Sequence, residues 1–107
     1  KYFYDYDKVW EKILRDANNY MKSNLVLGSF VSFDDTPRRG SNARIVNGSS
    51  PEKFKKYFEK LYMKCCENNK EILLLTAWNE WGEGAYLEPD EENGYAYLEV
   101  IREITRG

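Results

Sequence analysis

The run "EILLLTAW", Glu71 to Trp78, limits the fold of this chain more than any other stretch. Four consecutive apolar residues, Ile72 to Leu75, leave no polar face, so a strand here is expected to be buried on both sides. Strands of that kind belong to parallel sheets, whose crossover helices cover them. The preceding segment supplies such a helix. Ser50 is placed to cap it, Pro51 takes the first helical position, and Phe54, Tyr57, Phe58, Leu61 and Cys65 fall on one apolar stripe. A second strand is read in "NLVLGSFVSF", Asn24 to Phe33, which is rich in β-branched and aromatic residues. Ahead of it, "YDYDKVWEKILRDANNYMK" carries Val9, Trp10, Ile13, Leu14, Ala17, Tyr20 and Met21 at helical spacing, with Asp5 or Asp7 as cap. "GYAYLEVIREITR" closes as a third helix, with Tyr97, Leu98, Ile101 and Ile104 facing inward.

The order is α-β-α-β-α, an α/β class in which parallel strands are joined by right-handed crossovers. That order has a consequence for function. The segments 34–50 and 78–94 both follow a strand, so they lie on the same edge of the sheet, where α/β proteins place their sites. The first has no periodicity and reads as a loop, long for a compact domain. A chain of 107 residues bounds one small domain. Two strands are few for an independent sheet, which points to part of something larger.

Several function classes recede. With a net charge of −2 and a pI near 5.3, the chain offers no field for nucleic acid. No apolar run approaches the roughly 18 residues of a membrane span, and no signal-peptide pattern opens the sequence. It starts at Lys1 rather than Met, as an excised or processed chain would. Cys65 and Cys66 are neighbours, a spacing that strains a bridge, so two reduced thiols and a cytoplasmic or inner-membrane-surface location are expected. The chain has no histidine, which removes Ser-His-Asp chemistry and His-based metal sites. No metal or cofactor is expected.

The chemistry is concentrated in "TAWNEWGEGAYLEPD", Thr76 to Asp90. Glu80 and Glu83 stand three apart just past a strand end, a spacing that turns both carboxylates to one side of a tight turn. Apolar rings such as Trp78 and Trp81 would desolvate one of the two and favour its neutral form, leaving an acid beside a base. Glycosidic cleavage needs such a pair. Gly82 and Gly84 would allow close approach of the backbone, and the tryptophans could stack on a sugar. Caps and solvated charge explain a Glu pair at this spacing as readily. Asp34 and Asp35 suit sugar hydroxyls, a divalent cation, or a simple Asx turn before Pro37. Arg38, Arg39 and Arg44 suit a phosphate or pairing with neighbouring carboxylates. Glu88 could orient a side chain or a substrate hydroxyl, or be exposed loop charge.

"TAWNEWGEGAYLEPD" and "GYAYLEVIREI", with "FVSFDDTPRR", "YDYDKVW" and "GSSPEKFKKY", resemble the WbsX-like glycosyltransferase domain of bacterial surface-polysaccharide gene clusters. That domain is in turn similar to glycoside hydrolase family 99, the endo-α-mannosidases. The resemblance spans most of the chain. It implies that residues 1–107 are the C-terminal two β/α units of a (β/α)₈ TIM-type barrel, which takes about 250 residues in full. It implies Glu80 as the base that removes the sugar 2-hydroxyl proton and Glu83 as acid/base at the glycosidic oxygen, by way of a 1,2-anhydro sugar. Asn79, Trp78, Trp81, Asp34, Asp35, Arg38 and Glu88 are then the substrate-binding candidates. Phe33-Asp34-Asp35-Thr36 departs from the Trp-Asp-Asn-Thr usual in these chains, which bears on the sugar accepted. A glycan or sugar nucleotide is the implied substrate, with hydrolysis and transfer both open. A binding domain that kept the sugar platform without turnover is the reading from another class. By itself, so small a part of a barrel exposes strand edges and is expected to be inactive, and to self-associate or be marginally stable.

Overall fold

The computed structural model describes residues 1–106. Helix α1 (Tyr6–Tyr20) starts where the Asp5 carboxylate accepts the Lys8 N–H at 3.0 Å, so one of the four orphan donors of its first turn is satisfied. A one-turn α2 (Thr36–Arg39) follows later in the chain. Helix α3 (Pro51–Glu67) begins under Ser50, whose hydroxyl accepts the Lys53 N–H at 3.1 Å. It ends at Asn68, and Asn69 takes the left-handed conformation that turns the chain away. Helix α4 (Ala96–Arg106) is the last element.

Strands β2 (Leu27–Phe30) and β4 (Leu73–Thr76) pair in parallel, from Leu27 opposite Leu73 to Phe30 opposite Thr76. With α3 between them they form the expected βαβ unit. The core lies where α1, α3 and α4 meet this pair. Every residue of the predicted α3 stripe is buried there, beside Tyr6, Trp10, Ala17 and Met21 of the first helical segment and Val100 and Ile104 of α4. The Trp10 ring stacks on Tyr57 at 5.8 Å and on Phe30 at 5.7 Å, fastening α1 to both α3 and β2. Removing the α3 cap by Ser50→Ala is expected to lower stability by about 1 kcal/mol, read as a fall in the urea midpoint with an unchanged slope.

The structure corrects the sequence reading in three places. First, 34–50 is not a plain loop. It holds α2, a 3₁₀ turn (Gly40–Asn42) and a strand β3 (Arg44–Asn47), which pairs in parallel with a further strand β1 (Tyr2–Asp5) at the chain start. On its other side, the Val46 N–H reaches Phe33 O at 2.9 Å and the Asp35 N–H reaches Arg44 O at 3.2 Å. Segments of four residues held mainly by main-chain bonds carry too little side-chain pattern to be seen in sequence. Second, the β4 run is not buried on both faces. Leu73 and Leu75 pack on the core, while Ile72 and Leu74 are each 58% exposed, because the described helices cover one face only. Third, Tyr20 lies in the last turn of α1 and is exposed rather than part of the stripe, and in α4 Val100 is buried where Leu98 is only half-buried. Cys65 and Cys66 are both free thiols, and burial raises the Cys65 thiol, which fits packing rather than attack.

Candidate active site

The segment after β4 folds back as a short hairpin, β5 (Asn79–Glu80) against β6 (Ala85–Tyr86), around a 3₁₀ turn Trp81–Glu83. The turn closes at Gly84, whose φ of 57° is the left-handed region and whose N–H donates to Trp81 O at 3.0 Å. It then docks on the segment that leaves β2. The Asp34 N–H donates to Glu83 O at 2.7 Å, and the Ser32 hydroxyl donates to Gly84 O at 2.5 Å. The loops beyond the carboxyl ends of β2 and β4 are thus joined backbone to backbone.

That junction sets the side chains. Arg38 projects from α2 across the 3₁₀ turn. Its Nη2 lies 2.6 Å from Glu80 Oε1, and its Nη1 lies 3.4 Å from Glu83 Oε2. Glu80 and Glu83 therefore do face one space, and a single guanidinium spans them. Gly82 makes this possible: a Cβ there would sit 2.5 Å from Arg38 Nε. All three side chains are a third or more exposed, so the ion pairs add little to stability and matter as geometry.

The aromatic surroundings differ from expectation. Trp78 and Trp81 are 55% and 44% exposed, so neither ring encloses the pair in an apolar wall. Trp81 instead stacks on Tyr86 at 3.7 Å between centroids, and its indole N–H donates to Glu88 Oε1 at 3.2 Å. Glu88 thus orients a neighbouring side chain, one of the roles its position suggested. Asn79 opposes Tyr86 in the hairpin. Tyr86 was not singled out in the sequence; its only signal is alternation with Glu88 after the glycine turn. Its hydroxyl donates to Asp90 at 2.8 Å, and burial first, then that bond, pushes the phenol up to about 12.

Asp34 forms the Asx turn, accepting the Thr36 N–H at 2.9 Å and the Thr36 hydroxyl at 2.5 Å. Those bonds, the hydroxyl's foremost, hold its carboxyl below the usual range. Asp35 is 5% exposed and committed to its own loop: Oδ1 accepts the Arg44 N–H at 2.6 Å and Oδ2 meets Arg39 Nε at 3.2 Å. Of the candidates, then, Glu80, Glu83 and Arg38 converge, Trp81 and Glu88 form a second group, and Asp34 and Asp35 shape the loop that presents Arg38. No three His, Cys, Asp or Glu gather to hold a metal among the described residues. A groove of about 390 Å³ runs beside this assembly, lined by Phe33, Asp34, Asn47, Trp81 and Tyr86 among others. Glu80 and Glu83 do not line it and remain at an open edge.

Asp90 resembles Asp34 in being held low, chiefly by the Asn93 N–H at 2.6 Å and then by Tyr86. A carboxyl whose folded value is depressed adds stability above the unfolded value, near 3.9, and that contribution disappears as pH falls through the folded value. Hydrogen exchange of the Thr36 and Asn93 amides is therefore expected to lose protection in acid before the α3 amides do. Simultaneous loss in all three would contradict this.

A family model described as Glycosyltransferase WbsX matches residues 1–101. Two proteins described as uncharacterized protein WxcX, from Xanthomonas campestris pv. campestris strains B100 and ATCC 33913, are each 32% identical over 103 residues. Each alignment covers 91% of this chain and 15% of the relative, so the chain spans a small part of the relatives' length. No solved structure matches.

Proposed function

The chain belongs to the WbsX glycosyltransferase family, and from that premise we propose that it is the C-terminal part of a carbohydrate-active (β/α)₈ barrel enzyme acting on bacterial surface polysaccharide. The observation that carries this is the convergence of Glu80 and Glu83 on one guanidinium, at loops that leave two parallel strands on the same edge. Barrel enzymes build their sites at that edge. The uncovered face of β4 and the open strand edges fit a sheet that continues in the rest of a barrel. No described helix is long and apolar enough to cross a membrane. Two free thiols favour the cytoplasm or the inner membrane surface. Self-association of the isolated chain through its open edges belongs to the same reading.

In the mechanism, which follows the relation to glycoside hydrolase family 99, Glu80 takes the proton of the sugar 2-hydroxyl as O2 attacks C1. The C1–oxygen bond to the leaving group breaks, and Glu83 gives that oxygen its proton. Water or an acceptor hydroxyl then attacks C1 of the 1,2-anhydro sugar, Glu83 takes its proton, and Glu80 returns one to O2 as the three-membered ring opens. Water makes a hydrolase and a sugar hydroxyl makes a transferase, with the same two residues in the same roles. Trp81, fixed by Tyr86 and Glu88, offers a stacking surface, and Trp78 and Asn79 flank it.

The test uses the intact protein, wild type beside Glu83→Gln. Each is incubated with α-linked manno-oligosaccharides, and separately with sugar nucleotides plus acceptor glycan, and products are followed by mass spectrometry. Products that need Glu83 support the proposal, and the mixture that reacts decides between hydrolysis and transfer. Glycan bound without turnover in either mixture would replace the enzyme by a carbohydrate-binding domain.

A further inference from the structure

We infer that Arg38 is a positioning residue for the carboxylate pair, one guanidinium fork that fixes where Glu80 and Glu83 stand relative to each other; this rests on reading those two as the reacting groups. The sequence leaves this arginine open to a phosphate or to neighbouring carboxylates, and the structure turns its fork to two carboxylates. The arrangement is built from both loops at once. Pro37 sets the start of α2, and the Arg38 N–H donates to Asp35 O at 3.0 Å, anchoring the arginine backbone. Asp35, buried and tied to the Arg44 N–H and Arg39, holds that anchor in place. The bare Cα of Gly82 then lets the guanidinium lie against the opposite loop.

Other charged groups nearby are engaged elsewhere. Asp34 is tied to Thr36, Arg39 to Asp35, and Glu88 to Trp81. Arg38 is the cation that meets the pair among the described ion pairs. A planar fork can reach two carboxylates at once in fixed geometry, which the point charge of a lysine cannot.

The two arms are unequal, and the inequality fits a division of roles. The arm to Glu80 is a close contact at 2.6 Å, while the arm to Glu83 is loose at 3.4 Å. A glycosidic oxygen arriving at Glu83 would exchange the loose arm and leave the tight one in place. Glu80 is then the fixed member of the pair, and Glu83 is the member free to pass a proton to the substrate and back.

The experiment compares Arg38→Ala, Arg38→Lys and wild type in the intact protein, with Glu80→Gln and Glu83→Gln beside them. Manno-oligosaccharide or sugar-nucleotide turnover gives kcat and KM. Displacing a reacting group by about 1 Å can cost about a hundredfold, so Arg38→Ala is expected to lose about that in kcat with KM little changed. Added guanidinium ion should restore part of the loss, and Arg38→Lys should recover less than guanidinium does. A rise in KM for sugar nucleotide with kcat preserved would make Arg38 a phosphate contact and overturn the inference. Crystal structures of wild type and Arg38→Ala supply a readout that needs no turnover: Glu80 and Glu83 should separate or lose a single orientation in the variant. Unchanged carboxylate positions would also overturn it. Activity retained by Glu80→Gln and Glu83→Gln would instead remove the underlying reading of the pair, a separate result.

Discussion

Glu83→Gln in the intact protein is expected to lower turnover of an α-linked glycan by about a hundred- to ten-thousand-fold, the range that proton transfer by one positioned group supplies. Glycan binding should change little, since the amide keeps the shape and most hydrogen bonds of the acid. The two carboxylates should respond differently to the leaving group. A fluoride leaves C1 without a proton from the protein, so an α-glycosyl fluoride should restore the first step to Glu83→Gln. It should not rescue Glu80→Gln, because the attack by O2 still needs a base. Equal loss on both substrates for both variants would show that the residues act as one unit rather than as base and acid. Retention of full activity by either variant would end the assignment. The structure makes the comparison clean in one respect: each Glu is exposed by a third or more of its side chain, so an uncharged amide is not stranded in a closed interior.

The parts of this fold legible in sequence are those fixed by side-chain pattern. The stripe Phe54, Tyr57, Phe58, Leu61 and Cys65 is buried as one face because helical period alone dictates which residues share it. Ser50 and Asp5 cap their helices because a short oxygen-bearing side chain at that place has one good use. The pairing of β2 with β4 follows from the helix between them. What stayed hidden is held by main chain or by distance. Strands β1 and β3 bring Tyr2 opposite Arg44, and four-residue segments, the first exposed and the second half-buried, announce neither. The site divides in the same way. The Glu80 and Glu83 spacing predicted a shared space, and the structure gives one. The partner that occupies it, Arg38, comes from α2, more than 40 residues away along the chain. The docking of Ser32 and Asp34 on Glu83 and Gly84 creates that neighbourhood, and no local pattern encodes it.

Gly84→Ala is the substitution that should break this neighbourhood while sparing the core. Gly84 has a φ of 57°, where a side chain costs roughly 1 kcal/mol or more. The larger difficulty is spatial. A Cβ at Gly84 would lie 3.0 Å from both the N and the O of Asp34, and these are backbone atoms that cannot swing aside. The turn must therefore draw back from the β2 loop by a few tenths of an ångström, which loosens the Asp34-to-Glu83 bond at 2.7 Å and the Ser32-to-Gly84 bond at 2.5 Å. Glu83 moves relative to Arg38, so turnover should fall, by up to the roughly hundredfold loss that a displacement of about 1 Å costs. Trp10, Phe54 and Leu61 lie fully buried elsewhere, so the global unfolding midpoint should shift only slightly. Gly84→Asn separates the two causes. Asparagine tolerates the left-handed conformation better than alanine, yet it carries the same Cβ. If strain in φ were the whole effect, Asn would recover most of the activity. Because the Asp34 backbone stands in the way, Asn is expected to fail as Ala does, and hydrogen exchange at the Asp34 amide should quicken in both.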